Sequence, residues 1–126
     1  MKLPHVDRWN AARAAVAAAY DAALADVPGL ATPASCDGHV YHQYTVQITE
    51  GDRDHVAQRL ADAGIQTMVY YPVPQHRLPV FADEPSRPLP VSEHAAQTVL
   101  SLPISPSLGA DGVARVTDTL IRVLGP

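Results

Sequence analysis

Prolines crowd one stretch of this chain and fix where regular structure must stop. Proline has no backbone N–H, and its ring is incompatible with a helix interior or a central strand. We therefore predict a proline-rich loop over 72–90, with regular elements on both sides of it. Six of the twelve prolines lie in that stretch: Pro72, Pro74, Pro79, Pro85, Pro88 and Pro90.

Four segments outside this loop have the periodicity of helices, because their apolar residues recur at spacings of three and four. Their ends carry matching signals: Asp52, Ser92 and Gly109 suit N-caps, and Gly64 suits a left-handed stop. The predicted helices cover 4–26, 52–63, 92–100 and 110–124.

The segment HVYHQYTVQI alternates in the manner of a strand that is wet on one side. Its apolar face would hold Val40, His42, Tyr44, Val46 and Ile48. We predict strands at 40–49 and 65–71 and a short one at 101–104. A helix stripe and a one-sided sheet must cover each other, so we expect an α+β domain. It would contain a small, mainly antiparallel three-stranded sheet with about four helices packed on it.

Composition limits the partners and the setting. A chain of 126 residues predicts one domain over 1–126, and a net charge of −4 with nine scattered cations argues against nucleic acid. Charged residues interrupt the alanine-rich start, so we expect no signal peptide and no membrane partner. Cys36 is the only cysteine, which favours a cytoplasmic location without an internal disulfide.

Chemistry-bearing residues concentrate at one strand exit, VYYPVPQH. His76 follows a proline-stiffened turn, where a scaffold can present a side chain at little entropic cost. Alternation places Tyr70 and Tyr71 on opposite faces, so we expect one in the core and one at a surface or site. For His42, a core histidine bonded to a carbonyl is favoured over a ligand contact. No histidine pair has the spacing of helical metal ligands, so no metal site is expected.

Four segments, taken together, resemble a known family. They are KLPHVDRWNAARAAVAAAY, HVYHQYTVQI, RDHVAQRLADAGIQTMVYYPVPQH and LPVSEHAAQTVLSLPISPSL. In this order they are similar to the carboxy-terminal small domain of DegT/StrS-type sugar aminotransferases, and they cover nearly the whole chain. These are fold-type I enzymes that use pyridoxal phosphate to convert keto-sugar nucleotides into amino sugars.

The resemblance carries specific expectations for residues. It implies that Tyr71 and His76 lie on the substrate or interface side and that His42 is the histidine of the family's strand motif, so all three are candidate substrate-binding residues. The family's large domain supplies the Schiff-base lysine and the other cofactor contacts. The only lysine here is Lys2, at a chain end where an amine should be mobile and solvated. We therefore expect no cofactor, no catalytic residue and no activity in this chain alone.

Several functions stay open at this point. The chain could be the small domain of a sugar aminotransferase whose helix stripe covers a large domain or a second copy, so a homo-oligomer or a large-domain partner is expected. It could instead be a stand-alone dimerising or regulatory module, or half of a split aminotransferase that needs a lysine-bearing partner. An acid–base enzyme built on His76 would need a second convergent polar group.

Overall fold

The computed structural model describes residues 2–83 and 87–125. Short 3₁₀ turns lie at Leu3–His5, Gln75–Arg77 and Pro79–Phe81. Residues 84–86 of the predicted proline-rich loop fall outside the described residues. In chain order the helices and strands are α1 (Val6–Leu24), β1 (Leu30–Ala31), β2 (Tyr44–Ile48), α2 (Arg53–Asp62), α3 (Pro90–Thr98), β3 (Val99–Leu102) and α4 (Ala110–Leu124).

The expected α+β class is confirmed. One antiparallel sheet has the order β1-β2-β3, with Tyr44 opposite Leu102 and Gln47 opposite Val99. Alternate residues of β2 are buried, so one face of the sheet meets the helices and the other stays partly exposed. Within the described residues, none of the helices combines the length and the apolar character needed to cross a bilayer.

The core lies where α1, α2 and α4 meet one face of β2 and β3. Two tyrosines fasten α1 to the sheet, with ring centroids 4.9 Å apart. The Tyr20 hydroxyl donates to the Pro103 carbonyl at 2.8 Å, and the Tyr44 hydroxyl donates to Asp21 Oδ1 at 2.5 Å. Their aromatic rings therefore fill the core while their polar ends remain bonded.

Most residues predicted to face inward from the helices do so. Ile121 is an exception, at 41% exposed, because one further residue turns the helix by about 100° away from buried Leu120. The apolar stripes of α2 and α4 place these residues in the core: Val56, Leu60, Val113, Val116 and Leu120.

The predicted strand 65–71 is wrong, and a different segment supplies the third strand. Met68 alone forms a bridge, to Ser101, through backbone bonds of 3.1 and 2.7 Å. The Ile65 N–H is still engaged with the end of α2, and the prolines begin at Pro72, so little length remains for a ladder. The third strand is instead Leu30–Ala31, which lies between α1 and β2, where no strand is predicted.

Gly29 explains why this short strand forms. Its φ is +75°, a left-handed conformation that glycine adopts without strain, and its carbonyl accepts a 2.8 Å bond from the Thr49 N–H. The turn at Pro28-Gly29 therefore sets Leu30 opposite Ile48. The sequence pattern marks the turn but not the pairing that follows it.

Other boundaries shift for local reasons. The strand predicted over 40–49 begins only at Tyr44, and Tyr41 takes a left-handed φ of 47°, which turns the chain before the strand. The strand predicted over 101–104 is Val99–Leu102, because Pro103 has no N–H to continue the ladder. Helix α2 begins at Arg53, and Asp52 caps it as predicted, accepting from the backbone N–H groups of Asp54 and His55.

The start of α3 also differs from the prediction. The helix begins at Pro90 rather than at 92, and Ser92 is not its cap. Proline is favoured in a first helical turn, where the missing N–H would have had no partner. The N-cap is Leu89, whose N–H donates to Glu93 Oε1 at 3.3 Å.

Candidate functional site

An open cleft of about 690 Å³ lies between segment 70–78 and helix α3. Tyr70, Tyr71 and Gln75 line one wall. Ser92 and the small residues of α3 line the other, where short side chains leave space between the helix and the loop. A strand exit and a helix that are far apart in sequence thus form one concavity.

The prolines of this segment shape the first wall. Pro74 is extended, with φ −62° and ψ 142°, and leads into the 3₁₀ turn at Gln75–Arg77. The Arg77 N–H donates to the Pro74 carbonyl at 2.8 Å, and the Leu78 N–H donates to the Gln75 carbonyl at 3.1 Å. Because proline fixes φ, this segment loses little backbone conformational entropy when the chain folds.

Among the described residues, those that line the cleft carry no charged side chain. Its polar groups are the phenols of Tyr70 and Tyr71, the amide of Gln75 and the hydroxyl of Ser92, among apolar neighbours. Aromatic faces with a few neutral donors and acceptors suit an uncharged ligand that has both an apolar face and hydroxyl groups. The described lining residues therefore offer no charged group to pair with a phosphate.

Charged groups gather behind the cleft, around one carboxylate oxygen. Glu93 Oε1 accepts from His76 Nε2 at 2.8 Å, from Arg77 Nη2 at 3.1 Å and from the Leu89 N–H at 3.3 Å. The hydrogen bond from His76, then those from Leu89 and Arg77, lower the pKa of Glu93 from 4.5 to about 2. The carboxylate is therefore ionised at neutral pH, and it joins segment 70–78 to the start of α3.

Two tyrosines and one histidine from the sequence analysis lie in this region. Tyr71 is 76% exposed and Tyr70 is 43% exposed, so the expectation that one of them is in the core is wrong. Both line the cleft, because segment 70–78 leaves β3 after the single bridge at Met68. His76 is only 16% exposed and faces Glu93; it is not among the lining residues.

His42 is not brought to this cleft. It is exposed, so the interpretation as a core histidine is wrong, and it lies just before β2. Val99 is the β3 residue that lines the cleft, and antiparallel pairing puts Gln47 of β2 beside it. From His42 to Gln47 the chain advances five residues, or about 17 Å at about 3.4 Å per residue. The structure leaves its predicted role in substrate binding untested.

Glu93 is the site residue that the sequence analysis missed. A signal for it exists: Pro90 in a first helical turn, followed by a glutamate that can reach back to the N-cap N–H, is typical of a helix N-terminus. With Ser92 predicted as the N-cap, Pro90 and Glu93 are not read as parts of one helix start. Nothing in the local pattern shows that His76 and Arg77, which lie 17 and 16 residues earlier, would converge on the same oxygen.

The described residues of this chain do not fit a covalently held pyridoxal phosphate. Lys2 is the only lysine, is exposed, and lies before α1, whereas the cleft lining contains no amine. In the part of the chain that the structure describes, no three His, Cys, Asp or Glu side chains are grouped to hold a metal ion.

The fold is shared with solved structures of DegT-family aminotransferases. A crystal structure of DesV from S. venezuelae in complex with a ketimine intermediate superposes with a TM-score of 0.91 and 38% identity. The match covers 99% of this chain and 34% of that one. A DegT DnrJ EryC1 StrS aminotransferase from Brucella abortus gives a TM-score of 0.87 at 28% identity, over 99% of this chain and 34% of its own.

Sequence comparisons agree with the fold. The erythromycin biosynthesis sensory transduction protein EryC1 of Saccharopolyspora erythraea is 40% identical over 124 residues, which are 95% of this chain and 33% of that protein. The dTDP-3-amino-3,4,6-trideoxy-alpha-D-glucose transaminase of Streptomyces venezuelae is also 40% identical, over 95% of this chain and 32% of its own length. The chain therefore spans about a third of the length of these relatives.

A family model assigns the class directly. The DegT/DnrJ/EryC1/StrS aminotransferase family model matches residues 1–121. The chain belongs to this family, and the resemblance seen in its four sequence segments is confirmed.

Proposed function

We propose that this chain forms the small-domain part of a pyridoxal-phosphate-dependent aminotransferase that acts on keto-sugar nucleotides in amino-sugar biosynthesis. Within that enzyme the cleft between segment 70–78 and α3 forms part of the wall on the substrate side. The family match over residues 1–121 carries this proposal. The relatives named as dTDP- and UDP-sugar aminotransferases support the substrate class.

The chemistry of the cleft supports a contact with the uncharged part of such a substrate. Tyr71 presents an exposed aromatic face, while Gln75 and Ser92 offer neutral hydrogen-bonding groups. A sugar ring or a base can stack on a tyrosine and use these groups, whereas the diphosphate needs cations that this lining lacks. Tyr71 is then a direct contact, and His76 acts from behind the wall.

The cofactor belongs to the part of the enzyme outside this chain. Pyridoxal phosphate would supply the electron sink for amino transfer, and the lysine that holds it must come from elsewhere, because Lys2 is exposed and is not among the residues that line the cleft. A cytoplasmic location is part of the same proposal and is supported by the single exposed cysteine, Cys36.

The exposed apolar side chains beside the cleft support a partner surface. Tyr71, Val80 and Val91 are 76%, 78% and 83% exposed, close to the level of a fully solvated side chain. Surfaces of this kind are usually covered in an assembly. We infer a large-domain partner or a second copy of the chain, and the same surface would serve a stand-alone dimerising module or one half of a split enzyme.

Titration of the isotopically labelled chain with dTDP-glucose tests the substrate-side wall. The expected result is a saturable set of NMR shifts at segment 70–75, Ser92 and Ala95, weakened by Tyr71→Ala. Val80→Ala is the matched control, because Val80 is similarly exposed but does not line the cleft. Shifts confined to other surfaces, or no shifts at millimolar probe, contradict the assignment of the cleft.

Reconstitution separates the assemblies. The chain is mixed with a large-domain protein that carries the Schiff-base lysine, and amino transfer to a keto-sugar nucleotide is followed. Restored turnover supports the completed or split enzyme. Sustained amino transfer by the purified chain alone contradicts the proposed division of the chemistry.

A further inference from the structure

One oxygen atom connects the two walls of the cleft. Glu93 Oε1 accepts hydrogen bonds from His76 Nε2 and Arg77 Nη2 of segment 70–78, and from the N–H of Leu89 at the start of α3. We call the four residues Glu93, His76, Arg77 and Leu89 the Glu93 clamp. Its donors come from two separate stretches of chain that converge on a single acceptor.

The clamp is directly linked to the residues that line the cleft. Gln75 precedes His76 in the chain, and Ser92 precedes Glu93. Both neighbours are polar lining residues, one on each wall. The 2.8 Å contact between His76 and Glu93 therefore sets the distance between the two walls, because each of these residues directly follows a lining residue, Gln75 or Ser92.

The clamp differs from an ordinary surface ion pair. Exposed pairs contribute little, because two mobile side chains must be held in one geometry and water screens them. Here the His76 side chain is 16% exposed and that of Glu93 is 29% exposed, and a third donor comes from the backbone. An ionised carboxylate can only accept hydrogen bonds, so His76 donates from Nε2 and carries a proton on that nitrogen. This hydrogen bond fixes the orientation of the His76 ring.

We propose that Glu93 is a positioning residue that holds segment 70–78 against α3 and so sets the cleft that contacts the substrate. This inference rests on the proposed function for its ligand, but the geometry it assigns to the loop can be measured without any ligand. Glu93 is not itself among the lining residues, and it acts through His76 and Arg77.

The test compares the wild-type chain with Glu93→Gln, which keeps the size of the side chain and removes its charge. Solvent exchange of the Arg77 and Leu78 amide hydrogens is measured by NMR, together with the tautomer-sensitive carbon and nitrogen shifts of His76. The binding of dTDP-glucose is titrated in parallel. Asp118→Asn is the matched control, because it removes one negative charge from an exposed position on α4, away from the cleft.

In Glu93→Gln we expect the two loop amides to exchange at least about tenfold faster, since charge-assisted hydrogen bonds are the strong ones. The His76 ring shifts should change, amides of β2 should keep their wild-type exchange rates, and the dissociation constant for dTDP-glucose should rise at least about threefold. Asp118→Asn should leave all four readouts unchanged.

The outcomes separate the two ideas. Unchanged loop exchange and unchanged His76 shifts in Glu93→Gln overturn the clamp, whatever the binding result. If the wild type does not bind dTDP-glucose but the loop amides exchange faster in the variant, the clamp is supported and the substrate assignment is contradicted. Normal binding with a loosened loop overturns the positioning role. If Glu93→Gln does not fold, Arg77→Met, which removes one donor from a half-exposed side chain, decides by the same exchange measurement.

Discussion

The hydrogen bond from Tyr44 to Asp21 makes a quantitative prediction about stability. Tyr44→Phe keeps the buried ring beside Tyr20 and removes only the hydroxyl that donates to Asp21 Oδ1 at 2.5 Å. A hydrogen bond to a charged group contributes about 1.5–3 kcal/mol, and half-buried Asp21 can regain water, which favours the lower end. We expect the free energy of unfolding to fall by about 1.5 kcal/mol.

Urea unfolding followed by circular dichroism measures this change. A chain of this size should lose about 4–6 °C in melting temperature for the same free energy. Tyr20→Phe is the matched control: it also removes a phenol hydroxyl in the core, but one that bonds to the neutral carbonyl of Pro103. Its cost should be about 1 kcal/mol. A Tyr44→Phe variant as stable as the wild type would refute the assignment of this bond as a fastening of α1 to the sheet.

Four further predictions follow from titratable and capping groups. Burial raises the pKa of Tyr20 and Tyr44 well above 10.0, and the hydrogen bond to Asp21 raises that of Tyr44 further. The stability that these two neutral phenols contribute is therefore present below pH 10 and is lost as the pH rises beyond it. Absorbance at 295 nm should show two tyrosines that ionise only on unfolding. Glu93 has a lowered pKa, so the stability advantage of the wild type over Glu93→Gln, measured by urea midpoints, should shrink as pH falls from 4.5 towards about 2. Asp52→Ala should cost about 1 kcal/mol in urea unfolding, because two backbone N–H groups of α2 lose their cap. His76→Ala should lower the calorimetric melting temperature by a few degrees, and an unchanged value would mean that its bond to Glu93 is absent in solution.

Local patterns predicted most of the elements. Each helix has an apolar stripe that repeats every three or four residues, and α4 was predicted with the observed bounds, Ala110–Leu124. The strand pattern located β2, because alternation survives where one face is buried. The third strand could not be predicted. Its two residues are held by pairing with β2, and pairing is a long-range contact that a local pattern does not contain.

The site was predictable in part. The cluster of tyrosines and prolines at the strand exit marked one wall of the cleft, because prolines restrict a loop whatever lies beside it. The position of His76 behind that wall, and the three donors to Glu93, depend on where α3 packs after a break of many residues. His42 shows the opposite error: its place in the alternation suggested a buried face, but the left-handed Tyr41 turns the chain before that face begins.

Prolines and Glu93 hold the cleft wall by different physical means. Pro72 and Pro74 reduce the number of conformations available to the unfolded segment, which lowers the entropic cost of ordering it but does not choose its direction relative to α3. The Glu93 clamp supplies that direction, through bonds that exist only in the folded state. Removing a proline should therefore raise the mobility of segment 70–78 without altering its average position, whereas removing the carboxylate should let the wall move away from Ser92.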